Sequence, residues 1–591
     1  MNTATYAEVP FVNGYEYTQG SGYALPEFPF VAPPELTSGE APLHPIVIVG
    51  GGITGLTLAC CLARLGQSAI LLDEDNTVGV KGASSRGICY TQKSLEVFDR
   101  LGIFEAIAAK GIRWSVGRTF AGEDEVYSFD LSQQGNFNLS TQPPFINIQQ
   151  FYIEGFLAER TQQLGHVELR WQSRVTGFEQ NAEFATLTIA TPGGSYALRA
   201  LHVIDASGAH TPFRAWCGAS VTAKKGDDRW CIADVRFSKK PPIERHTWVE
   251  APFNENRAVW QHLMADDVWR IDYQMAPHSD PAEVSRADVV RERLTRQFGP
   301  DTEVEIVWVG PYAYRSECID QMRHGRVFFM GDSAKVVSPF GARGGNTGVA
   351  DADNLAWKLT AVLRGLATER LLASYHEERH EASIENVLVT NRTARFLRPA
   401  EGMERVFRNA SIALAKRHPF ARQLVNTGRM AVANSYHFSS ACTNTGVSKG
   451  GFSLQNIAFL WRTGSRSAKT QSEAPAAGTV NDLLLWAGGR HILMLFGQFS
   501  VRARADLRNL SRLAPVLSIQ VLARGESAQA TEHIYDSNPT RERSLRQGCG
   551  LLDLAGPGIP WALVRPDGYV AATGMAVNGS LVHAVQKSLG M

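Results

Sequence analysis

The sequence predicts an α/β protein in which a parallel sheet accepts a second, largely antiparallel sheet as an insertion. Three observations predict it. A buried-type strand, IVIVG at 46–50, runs through a glycine turn into an apolar helical pattern. A stretch from WCIADVRF to VWRIDYQM alternates aromatic and β-branched residues with period two, as half-buried antiparallel strands do. After it the apolar strand RVFFMGD returns the chain to the first sheet and opens a second glycine-laden loop ahead of a long helical pattern.

The bounds agree with this class. A chain of 591 residues with 44% hydrophobic content can bury a large core, and its length suggests about two to four domains. With 59 basic against 58 acidic residues there is no net field to recruit nucleic acid or an anionic membrane, so neither is an expected partner. No apolar stretch reaches the roughly 20 residues that cross a bilayer, and the opening MNTATYAEVPFVNGYEY lacks a signal peptide's apolar core. A cytoplasmic location follows as the expectation. The eight cysteines form no CxxC and no ligand cluster, which reads as reduced, buried thiols.

Taken in order, residues 1–44 are Pro- and aromatic-rich without periodicity and read as an N-terminal arm. Residues 45–220 and 315–395 then form one discontinuous nucleotide-binding domain, interrupted by a substrate domain at 221–314. A helical region spans 396–462, and a small polar stretch at 463–480 reads as a linker. The last segment, 481–591, alternates strand and helix signals again, and no internal repeat is visible.

The first chemical motif is GGGITG, where Gly50, Gly52 and Gly55 fit GxGxxG between a strand and a helix, the context that gives the pattern meaning. Gly50 permits the tight turn, Gly52 lets a pyrophosphate approach, Gly55 lets helix pack on strand, and Thr54 stands among them at the helix start. The unpaired N–H groups there favour phosphate. Asp73, closing the second strand, is placed to accept hydrogen bonds from a ribose, with Glu74 as the near alternative.

The second motif is GDSAKVVSPFGARGGNTGVADADNLAWKL. Asp332 closes a buried strand at the carboxyl edge where α/β proteins bind ligands. Pro339, Gly341, Gly344 and Gly345 make a rigid loop poor in side chains, and Asn346 starts a helix whose N–H groups point back into it. Such a surface suits a flat, anion-forming ligand. Two half-cradles so far apart in sequence, one for phosphates and ribose and one for an electron-rich ring, argue for FAD rather than NAD.

Together GGGITG and GDSAK…PFGARGGNTGVADADNLAWKL resemble the single-component FAD-dependent aromatic hydroxylases of the p-hydroxybenzoate and phenol hydroxylase type, over roughly residues 45–430. The resemblance implies a monooxygenase that uses NADH or NADPH and O2 to hydroxylate a phenolic substrate through a flavin C4a-hydroperoxide, and a homodimer. It puts a flavin-contacting arginine on Arg86 and a ribityl-contacting glutamine on Gln150, with Gln149 as the alternative. Asp332 falls on the ribityl chain and the Gly345–Asn346 backbone near the flavin O2. A helix N-terminus carries about half a positive charge, worth up to ~2 kcal/mol when partly buried, and so stabilises the anionic reduced ring.

Three departures from the family pattern stand out. Lys335 replaces the usual His of GDAAH or GDSAH. The segment DASGAHT carries Ser207 and His210 where the family has Asp and Arg, in a motif tied to FAD and NAD(P)H contacts. Ile88 occupies the place of an aspartate near the phenol hydroxylase ring pocket. A substitute for that base is needed, since a phenol loses its proton only near pH 10. Strand alternation puts Trp260 and His262 on one face and Arg270 with Asp272 on one face of the next strand; His262, Arg270, Asp272 and Tyr273 are the pocket candidates. The altered DASGAHT and the missing aspartate also keep alive a flavoprotein tailoring oxidoreductase, an epoxidase or dehydrogenase; a non-catalytic flavin-binding protein whose C-terminal end mediates assembly is the alternative from a different class.

Two further patterns need a reading. His376-Glu377-Glu378-Arg379-His380 is a literal HExxH, but the helix is heavily charged and offers no third ligand, so no metal is expected. GIPWALVRPDGYVAA resembles the proline, strand, turn, strand of the thioredoxin fold, with Pro560 at its proline. The matching front end has no CxxC and Cys549 stands alone, so a redox-silent thioredoxin-like domain is expected.

Overall fold

The computed structural model describes the chain apart from residues 1–5, 9–23, 80–86, 134–138, 277–278, 426–430, 445–447, 464–475, 497–502, 504–505, 508–509, 511–513, 523–531 and 537–559. Its first sheet runs Val167–Arg170, Ala69–Leu72, Leu43–Val49, Gly194–Asp205, Ala185–Thr191, Arg174–Gln180, and Val327–Phe329 joins it alongside Gly194–Asp205. The inner strands are apolar on both faces (Ile46, Val47, Ile48, Leu71 and Leu72 are all buried), as a sheet covered on each side requires.

Register at the centre of this sheet matters most. Asp205 lies opposite Val49 on one side and Phe329 on the other, and all three strands run parallel. The turns that follow, Gly50–Gly52, Ala206–Gly208 and Met330–Ser333, therefore leave one carboxyl edge side by side. The helix Ile53–Arg64 follows the first turn and packs against Gly344–Leu363, which follows the last.

A second sheet runs Lys335–Val336, Val304–Ile319, Val221–Phe237, Trp269–Gln274, Arg257–Leu263, Arg245–Ala251, Val116–Ala121, Asp124–Asp130. Its pairs are antiparallel except that Arg245–Ala251 runs parallel to Val116–Ala121. The hairpin Val116–Asp130 thus extends the inserted sheet, although it lies in sequence within the stretch read as the first domain. One face packs on the helix Ala287–Phe298 through Cys231, Ala233, Tyr273 and Leu294; the other turns inward toward the glycine loop through Trp230, Trp260 and Phe340.

The C-terminal sheet runs Phe452–Ser453, Tyr569–Gly574, Trp561–Val564, His491–Phe496, Val516–Leu522, Glu532–Asp536, Ala458–Thr463, Ala476–Thr479. Three of its strands fall where a helical region and a linker were expected: Phe452–Ser453 pairs with Tyr569–Gly574, Ala458–Thr463 pairs with Ala476–Thr479, and Thr479 caps the next helix through Asp482. Small residues without alternation hide a strand at a sheet edge, because pairing there asks only for backbone N–H and C=O groups. Cys549 lies outside the described residues.

This unit is fastened to the body by buried charge. Arg565 donates to both oxygens of Glu378 (2.6 and 2.9 Å) and to Asp567, while Lys358 reaches Glu378 at 2.8 Å. Glu378 is the middle of the HExxH run and is fully buried. His376 accepts a hydrogen bond from the Met322 N–H and His380 lies against the Ile319 carbonyl, so both histidines serve main chain. Among the described residues no cluster of three or more His, Cys, Asp or Glu could hold a metal ion, and no helix is long and apolar enough to cross a membrane. The arm docks where it is described: Phe28 stacks on Trp171 and Glu35 pairs with Arg170 at 3.1 Å.

Candidate active site

The two glycine motifs meet through one side chain. A Cβ added at Gly331 would lie 2.6 Å from Thr54 Oγ1, and one at Gly348 would overlap the same oxygen. Thr54 therefore sits between the second motif's turn and its helix, and both glycines are required by the approach. Within the first motif, Gly50 holds φ +107° and a Cβ there would meet the Ala206 carbonyl oxygen at 2.5 Å, while one on Gly55 would overlap the Gly50 carbonyl oxygen. Gly52 differs: a Cβ would find only Glu154 Oε1 at 3.8 Å, so among the described residues no protein atom demands that glycine.

Around this turn, Asp73 accepts from the Gly51 and Asp75 N–H groups, and burial pushes its carboxyl up to about 6. Glu74 is exposed and faces Arg174 instead. Gln150 donates to Glu154 at 2.7 Å, and its Oε1 lies 4.0 Å from the Cβ position of Gly345, which sets it between the two motifs. Gln149 turns away and donates to the Ala265 carbonyl. Arg86 lies outside the described residues.

The second motif is held by its neighbours. Asn346 accepts from the Thr91 N–H at 2.9 Å and donates to the Cys89 carbonyl at 2.8 Å, locking the start of the helix Gly344–Leu363 onto the strand Cys89–Thr91. The helix's first N–H groups have no intrahelical acceptor and so remain a seat for negative charge. Gly341 has φ +81° in the loop after Pro339, a conformation that favours glycine. Arg214 clamps the turn by donating to the Ser333 and Asp332 carbonyls at 2.8 and 3.0 Å, leaving the Asp332 residue exposed at the sheet edge.

Lys335 is placed by the same logic. It pairs with Asp351, which also accepts from the Gly331 N–H at 3.0 Å and from Arg379 at 2.6 Å. Burial alone would raise the Asp351 carboxyl, but Lys335 and Arg379 outweigh it and hold it low. Lys335 thus braces the loop from behind. The DASGAHT segment is likewise structural at its core: Asp205 accepts from Ser207 and Thr211 while Ser333 donates to its carbonyl.

The cradle therefore fits a dinucleotide with a flat ring: two helix N-termini, glycine contacts that leave Gly52 open, and an exposed Asp332 at one edge. Comparison with known proteins points the same way. The family described as "FAD binding domain" matches residues 44–389, more than half of the chain. The chain belongs to that family. It is 30% identical over 389 residues to a flavin-dependent monooxygenase of Mycobacteroides abscessus, covering 63% of this chain and 80% of the relative. With the para-nitrophenol 4-monooxygenase of Pseudomonas sp. it shares 27% identity over 58% of this chain and 84% of the relative. Among solved structures, the flavin-dependent monooxygenase PieE with FAD and substrate superposes with a TM-score of 0.72 at 20% identity, over 93% of this chain and 98% of that one. Aklavinone-11 hydroxylase with FAD and aklavinone gives 0.70 at 20% identity, over 93% and 99%. FAD is the cofactor and the protein is a flavin-dependent monooxygenase.

In this flavoprotein the inward sheet face carries three of the four pocket candidates together. Register sets His262 opposite Arg270 and Trp260 opposite Asp272. Arg270 donates to Asp272 at 2.8 Å, both buried. Burial, then Arg245 and Arg270, hold His262 well below 6.5, so its imidazole is neutral at ordinary pH. Tyr273 is the exception. One residue on from Asp272, it points to the opposite face and donates to Gln297 at 2.7 Å, as the same strand alternation requires.

Sequence reasoning missed Glu154, Arg214, Arg245 and Phe340. Phe340 carried a signal, being an aromatic within a glycine loop; it meets Trp260 edge-on, ring centroids 4.9 Å apart. Glu154 and Arg214 carried none, because the main-chain atoms each holds belong to turns distant in sequence.

Proposed function

We propose that the protein hydroxylates a phenolic aromatic substrate, using NADH or NADPH as reductant and O2 as oxidant. One observation carries the proposal. On the buried sheet face beside the glycine loop, Trp260 Nε1 and His262 Nδ1 are both buried with no hydrogen-bond partner, next to the Arg270–Asp272 pair. Two unmatched polar atoms in an aromatic wall are costly unless a ligand satisfies them. A ring that packs at the edge of Trp260 beside Phe340 and presents a hydroxyl would do so.

FAD would supply the redox chemistry, taking electrons from the nicotinamide and passing an oxygen atom from O2 to the ring. Gly50, Gly52, the helix start at Ile53 and Asp73 would hold its phosphates and ribose, and Asp332 with the start of Gly344–Leu363 its ring end. The chain's own contribution is positional: the sheet face orients the substrate ring and excludes water, and neutral His262 accepts a hydrogen bond from the phenol hydroxyl. With Ile88 in place of a carboxylate and Asp272 engaged by Arg270, His262 is the acceptor on this wall.

A tailoring oxidoreductase is the second reading, favoured by Ser207 and His210 in DASGAHT. A panel of phenolic acids, alkylphenols and polycyclic phenols separates the two. Phenol-stimulated NAD(P)H consumption with an equivalent of hydroxylated product is expected; consumption that no phenol accelerates would overturn the proposal.

A further inference from the structure

The cradle contains a charge that a phosphate site should not tolerate. Glu154, on the helix Gln150–Leu164, is fully buried and caps the dinucleotide helix from below. Its Oε1 accepts from the Ile53 N–H at 2.9 Å and from Gln150 at 2.7 Å, and its Oε2 accepts from the Gly79 N–H at 2.8 Å. Ile53 opens the helix whose N-terminus receives the cofactor diphosphate, so carboxylate and diphosphate would compete for one positive helix end.

Among the described residues, the titratable groups facing Glu154 do not neutralise it. Asp73 approaches from the end of the second strand and Tyr90 from the strand Cys89–Thr91; the first helix and the Gly79 turn present main-chain N–H groups, and its own helix presents Gln150. Among the described residues no Lys, Arg or His forms an ion pair with it. Two like charges held near one another in a dry site favour protonation of one, and a diphosphate diester stays ionised throughout the working range.

We infer that Glu154 is a proton-linked positioning residue, its carboxyl group taking up one proton as FAD binds. The neutral carboxyl keeps one carbonyl oxygen as an acceptor for the N–H groups of the turn, so the turn stays shaped while the like-charge repulsion disappears. In the free protein burial already pushes this carboxyl up to about 7, against the hydrogen bonds that lower it. The sign follows: below pH 7 the site is largely neutral before FAD arrives, and above it each binding event costs a proton drawn from solvent. FAD affinity therefore weakens as pH rises, about tenfold per pH unit once Glu154 is ionised.

The test uses the full chain stripped of flavin. Titration calorimetry at pH 8 in two buffers of different ionisation heat should give about one proton taken up per FAD, and the FAD Kd should rise about tenfold between pH 8 and 9. Glu154→Gln, which preserves shape and one of the two acceptor oxygens, should bind with no proton uptake and a flat Kd. Zero uptake by the native chain at pH 8 overturns the inference. So does uptake that persists in Glu154→Gln and vanishes in Asp73→Asn. If Glu154→Gln does not fold, the native proton count still decides.

Discussion

The cofactor cradle and the proposed substrate wall meet where Phe340 of the glycine loop touches Trp260, yet are built from opposite materials. The cradle is main chain: Gly50, Gly55, Gly331 and Gly348 admit close approach because each lacks a side chain, Thr54 packs against two of them, and Asn346 and Arg214 grip backbone atoms. The wall is side chain: Trp260, His262, Arg270 and Asp272 project from strands whose own pairing is independent of them. A cradle that binds by backbone serves one cofactor and tolerates little change. A wall of side chains on a rigid sheet can change its ligand without changing its fold.

That contrast can be broken at several points. The largest effect is expected from Gly55→Ala, whose methyl group has nowhere to go against the Gly50 carbonyl. It should destabilise by ~3 kcal/mol and yield colourless protein, read from the melting temperature and the flavin absorption band. A stable yellow Gly55→Ala protein would show that the turn can shift. Next comes His262→Gln on the wall. Flavin content and stability should be retained while hydroxylated product falls about 100-fold or more, with NAD(P)H still consumed. Equal loss of flavin would mean that wall and cradle are one structure.

The smallest effect is reserved for Tyr273→Phe. It lies on the covered face, so it should cost about 1 kcal/mol through its lost bond to Gln297 and leave turnover unchanged. A large loss of turnover there would place the substrate on the wrong side of the sheet.

Legibility divides along the same line. The first glycine turn was readable because its demands are local: strand, GxGxxG, helix and Asp73 follow in one short stretch, and Gly55 meets Gly50 five residues away. His262, Arg270 and Asp272 were readable as a group through period-two alternation, and the same rule should have removed Tyr273. Glu154 was not readable. A glutamate on the polar side of a helical pattern looks solvated until the fold lays it under Ile53 and Gly79. Lys335 was equally opaque, since only the helix Gly344–Leu363 brings Asp351 beneath it.

By itself, then, the sequence determined the two glycine turns, the kind of ligand each suits, and the alternation of the inserted sheet, all properties of short-range sterics and hydrophobic period. Tertiary structure decided that both turns leave one sheet edge beside Asp205, that Thr54 joins them, and which charges are buried in pairs and which alone. Those outcomes depend on strand register and on dielectric, and both are set only when distant segments exclude water from between them.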